Sequence, residues 1–180
     1  QTIGGICLSL TVKPLKPSLP EYRQVKALYY RAFPKYEQEA WSRLRFKRLF
    51  RRADFLVFYD QDQFVGLSYI IHHHGIHYVL YLAVNDRVRS RGYGSRILAQ
   101  LKQRYAPDTL ILDIEQPDVT AANNHQRLRR LRFYRKNGFT LTDRLTRTPA
   151  VTYQLLATQQ QIDHAKVDNM FAWFNGRTFD

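Results

Sequence analysis

The chain is most tightly constrained where an apolar strand runs into two glycines and then a helix. Tyr78 to Val84 is apolar on both alternating faces, the pattern of a central strand covered on both sides. A polar, basic stretch follows, then Gly92 and Gly94, then a helical stripe of Ile97, Leu98, Leu101 and Tyr105. Glycines at a helix start let a ligand approach the backbone closely. The free N–H groups and the positive dipole end of the helix attract phosphate. Arg87, Arg89, Arg91 and Arg96 add cations around the same point. This order of residue types predicts a pyrophosphate seat.

A dinucleotide fingerprint also reads strand, glycines, helix, then an acidic residue about 20 positions on. Asp113 and Glu115, ending the next strand-like run, keep that rival alive. Its first glycine belongs in a tight turn directly after the strand, whereas Asn85 to Arg91 intervene here. Ile97 stands where its third glycine falls, so the reading is set aside without being excluded. A nucleoside triphosphate loop fails sooner, because no Gly-Lys-Ser/Thr follows.

Arg89-x-x-Gly92-x-Gly94 resembles the acetyl-coenzyme A loop of the GNAT N-acetyltransferases, whose pattern is Gln/Arg-x-x-Gly-x-Gly/Ala. Arg132-Phe133-Tyr134-Arg135-Lys136-Asn137-Gly138-Phe139 resembles the family's second signature, an aromatic-Tyr-x-x-x-Gly-Phe ending a helix and opening a strand. The motifs stand in the family's order with one strand, Thr109 to Ile114, between them; the close resemblance covers Tyr78 to Phe139. It implies an α/β (α+β) fold with a mixed, mostly antiparallel sheet of about seven strands flanked by about four helices. It also implies acetyl-CoA as acetyl donor and direct attack by an amine in a ternary complex.

The rest of the chain reads in the same order. Leu8 to Lys13 alternates like a first strand, and Pro20-Glu21 opens a helix with the stripe Tyr22, Val25, Leu28, Tyr29 and Ala32. Phe33-Pro34 breaks it, and a second helix is expected from Glu37 to Phe50. Asp54 to Tyr59 and Phe64 to His72 read as a hairpin, His77 to Val84 as the next strand, and His125 to Asn137 as the last long helix. Gly138 caps that helix in a left-handed conformation, and Phe139 to Thr142 and Val151 to Leu156 close the sheet. One acetyltransferase domain is expected over 1–157. A tail over 158–180 gathers Met170, Phe171, Trp173 and Phe174, to pack on the domain or on a partner.

A length of 180 residues suits one domain with a proper core. No run approaches the roughly 18 apolar residues of a membrane span. The first ten residues lack a basic start, and the single cysteine, Cys7, fits a reducing compartment, so a cytoplasmic protein is expected. The net charge of +13 exceeds what cofactor phosphates use. The surplus gathers in Arg43 to Arg52 and Arg127 to Lys136: a solvated basic face, or a contact with nucleic acid, without a recognised nucleic-acid module. The partners expected are a small-molecule or peptide amine, no membrane, and a monomeric or homodimeric state.

Acetyl transfer needs a neutral amine, since an alkylammonium with a pKa near 10 is not a nucleophile. It also needs donors for the oxyanion and a proton for the leaving sulfur. By the resemblance, backbone N–H groups of Leu82, Ala83 and Val84 receive the pantetheine arm and the carbonyl. Arg89, Arg91, Gly92, Tyr93, Gly94, Ser95 and Arg96 surround the pyrophosphate. Tyr134 protonates sulfur, a phenol and a thiol having pKa values within about two units. Tyr30 and Phe33 form one wall of the acceptor pocket.

Asp113 and Glu115 share a face of one strand, and Glu115 at its carboxyl end is either the base or a solvated carboxylate. Many members of the family use a water chain instead of a dedicated base. His72 faces the groove as a proton relay; His72-His73-His74 lacks the Cys or carboxylate to complete a metal set. Many members carry an asparagine seven positions before the tyrosine. Here that position is Arg127, leaving Asn123 or Asn124 to reach the pantetheine arm, or Arg127 to reach phosphate. Two functions therefore stay open: a catalytic N-acetyltransferase, or a non-catalytic acyl-CoA-binding or regulatory protein with a basic surface for nucleic acid.

Overall fold

The computed structural model describes residues 9–49, 53–88, 92–149 and 151–174. In chain order they form β1 (Thr11–Pro14), α1 (Tyr22–Ala32), α2 (Trp41–Leu49), β2 (Ala53–Asp60), β3 (Gln63–His73), β4 (Ile76–Val84), α3 (Tyr93–Tyr105), β5 (Thr109–Glu115), α4 (Asn124–Lys136), β6 (Thr140–Arg147), β7 (Thr152–Ala157) and α5 (His164–Phe174). The seven strands form one sheet in the order β1-β2-β3-β4-β5-β7-β6. β5 pairs with β4 in parallel and with β7 antiparallel. Hence the mixed, mostly antiparallel sheet that the resemblance implies is the one observed.

Two hairpin turns set the centre of the sheet. Gln61 takes a φ of 56° between β2 and β3, and His74 and Gly75 take 44° and 79° between β3 and β4. Positive φ at a hairpin turn matches the right-handed twist of the flanking strands. Contacts cluster into two units, one drawn from Gln1–Tyr69 and Tyr81–Arg104, the other from Ile70–Leu80 and Tyr105–Asp180.

In the first unit, α1 and α2 bury Val25, Leu28, Tyr29 and Leu44 beside the rings of Trp41, Phe55 and Tyr69. Each buried aromatic or leucine side chain contributes roughly 1.5–3 kcal/mol. α3 packs closely on β3 and β4 because position 66 has no side chain. A Cβ at Gly66 would sit 2.6 Å from the Ala83 carbonyl oxygen and 2.7 Å from Ile97 Cδ1.

The helix expected from Glu37 is replaced by a short 3-10 turn, Lys35–Glu37, and α2 begins only at Trp41. The cause is local competition for backbone groups. Tyr81 Oη donates to the Glu37 carbonyl and accepts from the Glu39 N–H, while Tyr29 Oη donates to the Glu39 carbonyl. Gln38 Nε2 meanwhile caps the carbonyls of Tyr30 and Phe33 at the end of α1.

In the second unit, β5 and β7 bury Leu110, Ile111, Leu112, Ile114, Leu155 and Leu156. β6 runs to Arg147, longer than the expected Phe139 to Thr142, because its register against β7 shifts between Leu141 and Leu145. Such a bulge breaks the alternation that marks a strand in sequence. The aromatic tail forms α5, which buries Val167 and Met170 and sets Phe171 against Tyr78, ring centroids 5.1 Å apart.

Candidate active site

The first unit carries the end of β4, the basic loop and α3. Asn85 closes β4: its buried side chain donates to the Phe64 carbonyl and accepts the Arg87 N–H. Arg89 and Arg91 lie outside the described residues. Gly92 has a φ of 68°, a left-handed conformation that favours glycine, and Arg96 N–H donates to its carbonyl to start the helical ladder. α3 thus begins one residue earlier than the second glycine, and Gly94 lies in its first turn beside Ser95. The first-turn N–H groups of a helix have no partner inside it, which leaves them for an anion.

Two loop-side expectations need correction. Arg96 grips Asp60 with both guanidinium nitrogens, Nη1 at 3.0 Å and Nη2 at 3.2 Å, and that hydrogen-bonded carboxylate raises its pKa. Tyr93 is buried and donates to the same carboxylate at 2.9 Å. Their side chains therefore anchor α3 to the end of β2.

Tyr30 and Phe33 do border β4. The Phe33 ring lies 4.7 Å from that of Tyr81, the residue before Leu82, and Tyr30, 43% exposed, packs against Tyr29 and Trp41. His72, expected to face the groove as a proton relay, makes a contact with a second histidine. The His72 Nδ1 is 2.7 Å from His77 Nδ1, and His77 Nε2 is 3.0 Å from Asp108 Oδ2, beside the β3–β4 turn. Among the described residues, no group of three or more His, Cys, Asp or Glu side chains could hold a metal ion.

The second unit carries α4 and β5. Gly138, at φ 82°, makes the end of α4 a Schellman motif: its N–H donates to the Arg135 carbonyl, and the Phe139 N–H donates to that of Tyr134. The companion apolar contact is also present, the Tyr134 and Phe139 rings being 5.8 Å apart. This is the physical content of Tyr-x-x-x-Gly-Phe. The glycine turns the chain so that the following aromatic clamps the tyrosine one turn back. Burial pushes the Tyr134 pKa up to about 12, with the Arg130 cation opposing.

Glu115, expected as a proton acceptor, is saturated. It is 5% exposed, its Oε2 lies 2.9 Å from Arg127 Nε, and it accepts from Asn123 Nδ2 at 2.8 Å. Protonating it would strip a half-buried guanidinium of its counter-charge. Arg127 also donates to Asn123 Oδ1 and the Gln116 carbonyl, so it staples the start of α4 to β5 and is not turned to phosphate. Asn124 Oδ1 accepts the Asp118 N–H and closes the preceding loop, which leaves only its amide nitrogen for a ligand.

The neighbouring carboxylate differs. Asp113 Oδ2 accepts from Tyr78 Oη at 3.0 Å, whereas its buried Oδ1 has no hydrogen-bond partner among the described residues. Burial lifts its pKa to about 6, against the opposing pulls of the Tyr78 hydrogen bond and the Arg144 charge.

A family profile described as an acetyltransferase (GNAT) domain matches residues 51–141. No curated protein sequence gives a significant match. Among solved structures, a Bacteroides thetaiotaomicron protein assigned to the GNAT acetyltransferases is similar at 22% identity and a TM-score of 0.70, covering 93% of each chain. The aminoglycoside 6'-N-acetyltransferase of Enterococcus faecium is similar at 15% identity and 0.61, over 85% of this chain and 99% of that one. A Bacillus subtilis acetyltransferase solved in complex with CoA is similar at 13% identity and 0.57, over 84% and 99%. An Arabidopsis thaliana protein in complex with the bisubstrate analogue CoA-Ac-MVNAL is similar at 17% identity and 0.58, over 84% and 99%.

Proposed function

The chain belongs to the GNAT acetyltransferase family, and from that premise we propose that it moves the acetyl group of acetyl-CoA to a primary amine by direct attack in a ternary complex. One observation carries the catalytic reading over mere binding: a phenol clamped by a helix cap, its pKa raised by burial. A protein that only binds the thioester has no use for a phenol held at that spot. In support of the cofactor's place, the ladder joining β4 to β5 pairs Ile76, His77 and Tyr78, so Leu82, Ala83 and Val84 lie past its end. Their N–H groups receive the pantetheine arm and the thioester carbonyl, and the start of α3 receives the diphosphate.

The amine attacks the carbonyl carbon, the oxyanion gathers on backbone N–H groups, and the C–S bond breaks as the oxyanion collapses. A phenol at about 12 is roughly 3.5 pKa units above an ordinary thiol, about 5 kcal/mol against complete transfer. That gap is wider than the sequence suggests, so Tyr134 first stabilises the leaving sulfur by hydrogen bonding. Isothermal calorimetry of CoA, with thiol release measured over a panel of amines and peptides, tests the reading. Wild type should bind CoA and release thiol with at least one amine, whereas Tyr134→Phe should bind equally and turn over about 10²-fold more slowly. Binding without release from any amine would favour the regulatory alternative.

One observation supports a polyanion contact in addition. His125, Arg129, Arg132 and Lys136 recur at helical spacing on exposed positions of α4, which has no acidic residue. Their mutual repulsion has no offset within the helix. Nucleic acid matches that stripe in charge, and a binding constant that falls steeply with salt would reveal it.

A further inference from the structure

Resting on the transfer reading, we propose that Asp113 receives the acceptor's proton through the hydroxyl of Tyr78, under a cover provided by α5. The geometry starts from the end of the parallel ladder, whose last pair is Tyr78 and Ile111. Asp113 lies two residues further along β5, on the same face as Ile111 and Glu115. Tyr78 Oη donates to its Oδ2, and its buried Oδ1 has no hydrogen-bond partner among the described residues.

The charged groups around Asp113 come from every element packed there. Arg144, placed inward by the bulge of β6, attracts the carboxylate, but its Nη1 is held by Asp168 of α5 at 2.5 Å and its buried Nε has no partner among the described residues. Glu115, further along the strand, is neutralised by Arg127. Phe171 of α5 lies against Tyr78 on one side and under the Arg144 guanidinium, 5.4 Å from its ring centroid, on the other. The aromatic tail thus covers Tyr78 and Arg144, the hydrogen-bond donor and the cation that act on the buried carboxylate. A proton acceptor at about 6 is roughly a hundredfold better matched to an ammonium than an ordinary aspartate.

The step balances. The ammonium N–H bond breaks and its electron pair stays on nitrogen. That proton joins the Tyr78 oxygen as the Tyr78 proton passes to Asp113 Oδ2. The products are a neutral amine, an intact phenol and a carboxylic acid.

The test uses the full chain, acetyl-CoA, and two acceptor probes: kanamycin and the peptide Met-Val-Asn-Ala-Leu. Wild type should show an acid limb in kcat/KM with a midpoint near 6. Asp113→Asn should lose ~10²–10⁴-fold and the limb itself, while binding CoA as before. Tyr78→Phe should lose less and displace the limb, and Glu115→Gln should leave the midpoint in place. An Asp113→Asn protein that keeps its limb, or stays within about threefold of wild type, overturns the proposal. Infrared difference spectra of wild type minus Asp113→Asn, with CoA present, titrate the carboxyl without any acceptor. A midpoint near 6 that Tyr78→Phe displaces is expected; one in the ordinary carboxylate range, or one indifferent to Tyr78, overturns it. Failure of CoA to bind wild type would instead sink the transfer reading and leave the infrared result to stand alone.

Discussion

The two units bury polar groups in opposite ways. In the first, tyrosine hydroxyls are matched: Tyr29 to the Glu39 carbonyl, Tyr69 to that of Leu44, and Tyr81 to both the Glu37 carbonyl and the Glu39 N–H. Burial raises the pKa of all three, so they stay protonated and serve as fixed donors. In the second, Asp113 Oδ1 and Arg144 Nε are left over among the described residues. A satisfied buried network makes one conformation rigid, while an unsatisfied buried group costs stability and is retained where chemistry uses it. By that measure the first unit is built as scaffold, and the second holds the groups that the proposed proton transfer would use.

The sharpest way to break the contrast is Asp113→Asn. Folding lifts this carboxyl from ~3.9 when unfolded to about 6, so the folded chain holds the proton more tightly. Its contribution is whole below pH ~4 and is lost as pH rises through 6, about 3 kcal/mol in all. The asparagine variant should lose transfer by orders of magnitude yet resist urea better than wild type at pH 8, with the advantage gone at pH 4. A variant less stable at both would class Asp113 with the scaffold.

Next in size, Arg127→Met leaves the Glu115 charge buried alone and should cost ~3–5 kcal/mol in urea unfolding at pH 7. Tyr81→Phe strands the Glu39 N–H and should cost ~1–3 kcal/mol without moving the pH profile; a displaced profile would bring the first unit's hydroxyls into the chemistry. Smallest is Gly92→Ala. No atom lies within 4 Å of the added Cβ, so only the left-handed φ is penalised, ~1 kcal/mol. Calorimetry should show weaker CoA binding.

The order of the elements was legible because each carries its own local signal: the apolar run into β4, the glycines before α3, and Gly138 at the foot of α4. Tyr134 was legible for the same reason, since its clamp is made from residues within five positions of it. What escaped depends on partners far along the chain. Arg96 reads as a phosphate ligand until Asp60, from the end of β2, takes both its nitrogens. Asp113 and Glu115 look equivalent on one strand face. Arg127 and Asn123 of the α4 start saturate one, and the bulged Arg144, already committed to Asp168, only half-answers the other. The break between α1 and α2 was hidden because hydroxyls of Tyr29 and Tyr81 capture the backbone there.

The cap at Gly138 has a consequence for what evolution or engineering can do to α4. The phenol's aim is fixed by main-chain bonds counted back from a residue without a side chain. The helix surface can therefore exchange its cations freely while the aim persists. Inserting a single residue between Tyr134 and Gly138 would swing the ring ~100° around the helix axis. Such a protein would still fold, and its hydroxyl would point at the wrong neighbour.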